Sequence, residues 1–421
     1  MHESSSIKLH LVAVATLAIV AAACGVGAES SPTRTVLADY NHDEFASGVL
    51  AYFPKDVRVH SGDTVVFRQE WTGEPHSVTM GRLVDRMMDI VVPIREKYPD
   101  PDAGMSPEDE AAAAAAMKDL PWMFGEDGVQ QNGAQPCYLE EGAPPQDPET
   151  PCADEQQQQQ PDFNGRQSYY NSGFIPYQGP QGNRFEVPLA NDIPPGTYNY
   201  YCNYHGPFMA GTITVVPSHV EIPSQKEVAR QARQEIDAMA APLEVAHRQA
   251  QERDELELGG ERYRRPLAGW GSPLVSGAFI SEFYPEPLEV RAGEKLTWTV
   301  VGPPHTVSFN VPEYFAQITV EDDGTVVANP QAYEPVNSPP LPEEPEEEPP
   351  PDAGGPPPPD STPKEVPPPL VIDAGEWGGT EFKSSGMLFH GMGYSLTFTK
   401  PGTYSYACLV HPRMVSKVVV R

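Results

Sequence analysis

Two stretches of the chain place the same kinds of side chain at nearly the same spacing. In "GTYNYYCNYHGPFM" (196–209) Cys202 is followed by His205 and Met209; in "GTYSYACLVHPRM" (402–414) Cys408 is followed by His411 and Met414. Far upstream of each lies a Pro-His pair, with His76 in "PHSV" and His305 in "PHTV". Each set therefore offers one thiol, two imidazoles and one thioether. Thiolate and thioether suit Cu(I), and imidazole suits both copper oxidation states. A trigonal plane of two His and one Cys with a weak axial Met changes little between them, and this is the donor set of a blue-copper electron-transfer site. Zinc sites gather Cys and His in pairs and have no use for Met. One Cys-x-x-His would carry little weight, but two complete sets carry much more.

The elements that must position these donors are strands. In Tyr198-x-Tyr200-x-Cys202 alternate side chains face one way, which sends two rings and the sulfur inward. Tyr404, Tyr406 and Cys408 do the same. "AYFPKDVRVHSGDTVVFRQEWTGEPHSVTM" (51–80) parallels "EFYPEPLEVRAGEKLTWTVVGPPHTVSFN" (282–310). In both, period-two apolar alternation is broken by a Gly-acidic turn, as in strands half-buried against a core. Residues 184–216 parallel 394–420, and "NSGFI" (171–175) parallels "SSGMLF" (384–389). The chain thus reads as a repeat of one β unit, with the same order of parts in each half.

On these signatures, "PHSV" with "CNYHGPFM" and "PHTV" with "CLVHPRM", both halves resemble the plastocyanin/azurin family of cupredoxins. Cys-x-x-His-x-x-Met in the second half is similar to the amicyanin-type short ligand loop. The resemblance covers roughly half the chain and leaves out the insertions and a helix. It implies a mainly β fold: two Greek-key cupredoxin β-sandwich domains joined by a helical linker, with long partly disordered insertions. It also implies two mononuclear copper ions, one per domain, held by His76, Cys202, His205 and Met209 and by His305, Cys408, His411 and Met414. Plastocyanins often carry Asn after the first histidine, where it ties the ligand loops; here Ser77 and Thr306 stand there. The C-terminal histidine of each set is expected to offer the edge where electrons pass in or out.

The rest of the chain sets the context. Of five cysteines, Cys137 and Cys152 flank a short Pro-rich loop and are expected to form a disulfide, stabilising by about 3 kcal/mol. The N-terminus has Lys8 and His10 before an apolar run, "LVAVATLAIVAAAC", too short to span a membrane comfortably. Small residues ahead of Cys24 resemble a bacterial lipoprotein signal, although Ala21 stands where leucine is usual. The resemblance implies lipidation at Cys24 and an exported protein anchored at the extracytoplasmic face; a plain secretory signal would make it secreted or periplasmic.

The expected division is a signal and anchor over 1–30, a first cupredoxin domain over 31–217 and a helical linker over 218–270, with a second domain over 271–421. The first domain is interrupted at about 82–165, which includes the helix-forming "EDEAAAAAAMKDL". The second is interrupted at about 331–369, where 16 prolines and nine acidic residues cannot build a core. Ser224 and Glu227 form a capping-box pattern that should start the linker helix, with Pro242 kinking it before Gly259-Gly260 ends it. That helix is expected to be solvated. His42, His60, His219, His247 and His390 are expected to be ordinary surface or loop histidines, and Met80, Met87 and Met88 to be packing.

A formal charge of −31 argues against nucleic acid as a partner, because phosphate neutralisation needs Lys and Arg. The function these readings support is single-electron transfer between redox partners at the cell surface, such as a cytochrome or a membrane oxidoreductase, rather than enzymatic turnover. Copper storage or delivery is the alternative class, and it would favour open Met and Cys clusters. A cupredoxin-based oxidase or reductase would carry His-x-His pairs, and the chain has none.

Overall fold

The computed structural model describes residues 32–98, 105–125, 128–152, 159–175, 183–253, 255–258, 261–264, 266–272, 277–341 and 370–421. The expected lipidation site Cys24 and most of the Pro-rich acidic run lie outside them.

The first half builds two facing sheets. One has strand order Arg184–Pro188, Thr64–Gln69, Thr33–Ala38, Tyr52–Phe53; the other runs Asp56–Val59, Gly206–Val215, Gly196–Cys202, His76–Met80, Tyr169–Ile175, Pro136–Leu139. Alternation in the sequence becomes alternation in burial. Thr64–Gln69 buries Val65, Phe67 and Gln69 and turns Arg68 outward. Val36, Tyr52, Phe67, Val78, Tyr200 and Ile213 fill the space between the sheets.

The second half repeats the pairing pattern. Val415–Val420, Gly402–Ala407 and Ser308–Phe309 form one sheet with Leu288–Val290 and Lys383–Ser384. Leu267–Ser272 lies parallel to Lys295–Val300, as Thr33–Ala38 lies parallel to Thr64–Gln69. Register agrees to the residue: Ala38 faces Gln69, and Ala268 faces Val300. Tyr201 faces Thr79, and Ala407 faces Ser308. Trp298, Phe309, Tyr394, Phe398 and Tyr406 form this core.

The halves share structure. Ser47–Val49 of the first half pairs with Ala278–Tyr284 and so becomes the edge of a second-half sheet. The helix Gln225–Glu252 starts with the expected capping box, and it continues through Pro242 to an end at Glu252, well before the glycine pair. It is not solvated. Val228, Ala232, Ile236, Ala240, Leu243 and Ala250 are buried, and all but Val228 belong to a core that joins Phe45, Val49 and Phe53 to Trp270, Ile280 and Tyr284. Apolar residues at a helical spacing on an otherwise charged helix explain this: each fully buried Leu or Ile is worth about 1.5–3 kcal/mol. His42 and His247 stack on either face of Phe45 in the same region, so they are packing groups rather than surface ones.

The first insertion forms a cap. The helix Arg82–Lys97 buries Leu83, Val84, Met87 and Met88 beside the Cys137–Cys152 disulfide, which is present, and beside Tyr201. The helix Pro107–Met117 is capped by Ser106, whose hydroxyl accepts from the Asp109 N–H. Among the described residues no helix is long and apolar enough to cross a membrane.

Candidate metal centres

Each candidate centre is assembled at or just beyond the ends of two neighbouring strands and in the turn that follows the second. His76 opens the strand His76–Met80 and Cys202 closes Gly196–Cys202. These strands are antiparallel neighbours, so the first histidine meets a cysteine far away in the chain. The chain then turns back within four residues, setting Gly206 opposite Cys202 and bringing His205 round. In the second half, His305 bridges to Leu388 and Cys408 closes the turn through its N–H to the Met414 carbonyl at 2.9 Å.

The two donor triads converge. His76 Nδ1 lies 3.1 Å from His205 Nδ1, and Cys202 Sγ lies 3.6 Å from the same nitrogen. His305 Nδ1 lies 3.0 Å from His411 Nδ1, with Cys408 Sγ at 3.4 Å from it. Within each triad all three donor atoms fall inside 4.8 Å. Met209 and Met414 are fully buried, each in the same apolar cluster as its cysteine. The backbone N–H of Ser77 points at Cys202 Sγ (3.3 Å), and that of Thr306 at Cys408 Sγ (3.4 Å). A sulfur that receives an N–H and two imidazoles is arranged to be a thiolate. Burial opposes charge on both thiols. Hydrogen bonds and charge from His205 and His76, and from His411 and His305, outweigh it and hold both well below the usual thiol range.

The residues after the first histidines do tie the ligand loops, although neither is Asn. Ser77 Oγ accepts the Asn203 N–H at 2.8 Å and donates to Asn203 Oδ1. Thr306 Oγ1 accepts the Leu409 N–H at 2.8 Å. Asn203 also anchors the insertion over the first centre, through Met123 N–H to its carbonyl (3.1 Å) and its own amide to the Gly133 carbonyl (2.9 Å). Of the other histidines, His390 is held between Tyr263 Oη and the Gly302 N–H and belongs to neither donor triad.

Sequence reasoning missed the groups on the far side of the rings. His76 Nε2 lies 3.0 Å from Asp39 Oδ2, with both side chains fully buried. Tyr40 and Val49 N–H groups fix the other Asp39 oxygen at 2.6 Å. At His305 the equivalent nitrogen is buried with no hydrogen-bond partner. Glu74 stands between the remaining two rings, with Oε1 3.3 Å from His411 Nε2 and Oε2 3.7 Å from His205 Nε2. His411 is 1% exposed and the His205 side chain 12%. The C-terminal histidines therefore face one another across a carboxylate, and His411 offers no edge to solvent. Weak signals existed. Asp39 follows the "VLA" that matches "PLA" ahead of Gly269, and Glu74 is two residues before a ligand.

Protonation follows these neighbours. Burial pushes His76 down, but hydrogen bonds and charge from Asp39 and Cys202 push it up to about 10. Burial holds His305 below the ordinary imidazole value. His411, with Cys408 on one side and Glu74 on the other, rises against burial to about 10, and His205 is raised in the same way. Burial would raise Glu74, but both imidazoles hold it far below the carboxylate range.

The donors fit copper. Two neutral-capable imidazoles, one thiolate and a buried thioether in a dry setting are what a copper ion cycling between Cu(I) and Cu(II) needs. Mixed sheets packed face to face with such triads between their strand ends make the fold cupredoxin-like.

No protein-family model matches the chain, and no curated protein matches it. Among solved structures, a purple cupredoxin from Nitrosopumilus maritimus matches at 17% identity over 37% of this chain and 96% of its own, with a TM-score of 0.18. A reduced amicyanin mutant matches at 21% identity over 33% of this chain and 73% of its own, TM-score 0.15. An oxidized amicyanin mutant matches at 20% over the same shares, TM-score 0.16.

Proposed function

We propose that the chain is a tandem cupredoxin with two mononuclear blue-copper centres, exported and lipid-anchored through Cys24, that carries single electrons between redox proteins outside the cytoplasm. The observation that carries this reading is the pair of converged His-Cys-His triads with a backbone N–H on each sulfur. Bound copper would supply one-electron redox chemistry at nearly constant geometry. Cys202 and Cys408 would give the thiolate, His76 with His205 and His305 with His411 the imidazole planes, and Met209 and Met414 the weak axial contact. The strands fix the first histidines, the short turns fix the rest, and the buried surroundings exclude water. Five of the six triad donors are buried and only His205 is partly exposed, which favours a carrier over a copper store or an enzyme that must admit substrate. The partners in this reading are a protein donor and acceptor, such as a cytochrome or membrane oxidoreductase.

The test is copper loading of the full chain. Two coppers per chain are expected, with thiolate-to-copper charge-transfer absorption and the narrow copper EPR splitting of such sites. Loaded protein without that absorption would exclude the carrier reading, and more than two coppers would point to an oxidase-type cluster.

A further inference from the structure

Among the described residues, Glu74 is the one acidic side chain within ion-pair distance of ligand histidines of both triads. Its place is built from both halves. Gln69 donates through Nε2 to the Glu74 carbonyl at 2.6 Å, and Gln317 of the second half donates through Nε2 to the Gly73 carbonyl at 2.9 Å. Gly73 has φ 116, and a Cβ there would lie 2.3 Å from the Val410 carbonyl oxygen and 2.9 Å from His411 Cδ2. Only a glycine lets this segment press so closely on the second ligand loop. The matching stretch of the second half, "VGPPH", has Pro303 where Glu74 stands, so this carboxylate occurs once. It is almost fully buried.

We propose that Glu74 is a shared positioning residue for both centres, and that the chain His205 ring, Glu74 carboxylate, His411 ring is the route by which an electron passes between them within one molecule. This rests on the copper reading above. Both ring nitrogens that would face copper are Nδ1, and both that face Glu74 are Nε2, so each ring spans from metal side to carboxylate. The remaining gaps are 3.7 and 3.3 Å. With copper held by both triads the transfer would move one electron and no proton: the donor ion would go from Cu(I) to Cu(II) and the acceptor ion from Cu(II) to Cu(I). An outer carboxylate also orients a ligand imidazole and raises its basicity, which matters for affinity and potential. Here one carboxylate does this for two rings, so a change in its charge reaches both centres.

The experiment uses the full copper-loaded chain with Glu74→Gln and Glu74→Leu. Charge-transfer absorption and copper content are measured first; their absence in the unsubstituted protein would defeat the copper reading without touching Glu74. Pulse reduction then follows re-equilibration between the centres. The unsubstituted protein should show a phase whose rate does not depend on protein concentration. Glu74→Leu should keep both absorption bands and slow that phase about tenfold or more, the scale of losing an outer-sphere partner. Glu74→Gln, which keeps shape and loses charge, should shift both reduction potentials upward. An unchanged phase in Glu74→Leu, or a potential shift at one centre only in Glu74→Gln, would overturn the proposal.

Discussion

The two halves carry the same triad at the same register, and they differ at one residue behind the first histidine. Asp39 and Gly269 occupy equivalent positions: each follows the Ala that pairs with the end of the neighbouring parallel strand, and each has a left-handed backbone, φ 69 and φ 79. In the first half the Asp39 carboxylate takes the outer nitrogen of His76. In the second, a Cβ at Gly269 would stand 2.2 Å from His305 Nε2, so there is no room for a side chain and the nitrogen is left without a partner. The difference teaches that ligand identity and outer electrostatics are set separately. A negative charge on a ligand imidazole favours Cu(II) over Cu(I), so the first centre should have the lower potential. An electron delivered to either centre would then settle on the second. The axial loops differ as well, with three residues between His205 and Met209 and two between His411 and Met414.

The most direct way to break this comparison removes one sulfur at a time. Cys202→Ser is expected to abolish charge-transfer absorption from the first centre and leave that of the second, and Cys408→Ser to do the reverse. Absorption spectra of the two variants should add up to that of the parent. Colour retained at full strength in either variant would break the pairing of sulfur with centre.

A finer test makes the first centre like the second. Asn at position 39 keeps the oxygen that binds the Tyr40 and Val49 N–H groups and removes the charge. Asp39→Asn should lower Cu(II) affinity at the first centre by about 10–100-fold and raise its potential toward that of the second. Voltammetry that finds the two potentials as far apart as before would remove Asp39 as the source of the difference.

The smallest expected effect is on pH dependence. Metal binding displaces protons from its imidazoles. The first triad holds two imidazoles with raised values, His76 and His205; the second holds one raised, His411, and one lowered, His305. Protons therefore compete more strongly at the first triad. Between the ordinary imidazole value of 6.5 and that of His76, about 10, its affinity should fall more steeply with falling pH. Competition titrations of the two Cys→Ser variants, each keeping one triad, measure the slopes; equal slopes would contradict the protonation difference.

The sequence by itself determined the donors. Cys-x-x-His with a following Met and a distant Pro-His is a local code, because strand alternation and a short turn fix which way those side chains face. The β pattern, the disulfide between Cys137 and Cys152 and the capping box at Ser224 were legible for the same reason: each depends on residues close in the chain. The helix Arg82–Lys97 is written in the chain as well, as Leu83, Val84, Met87, Met88, Val91 and Ile94 at helical spacing, but Pro93 argues locally against a helix. Only the tertiary structure decided how the halves meet. The burial of the helix Gln225–Glu252, the exchange of Ser47–Val49 into the neighbouring sheet and the seat of Glu74 between His205 and His411 depend on packing across long separations in the chain. No local spacing rule reports that a carboxylate near one ligand will reach a ring 337 residues away. The same packing removed the exposed edge expected at His411, because surface that would have faced solvent was used to join the two centres.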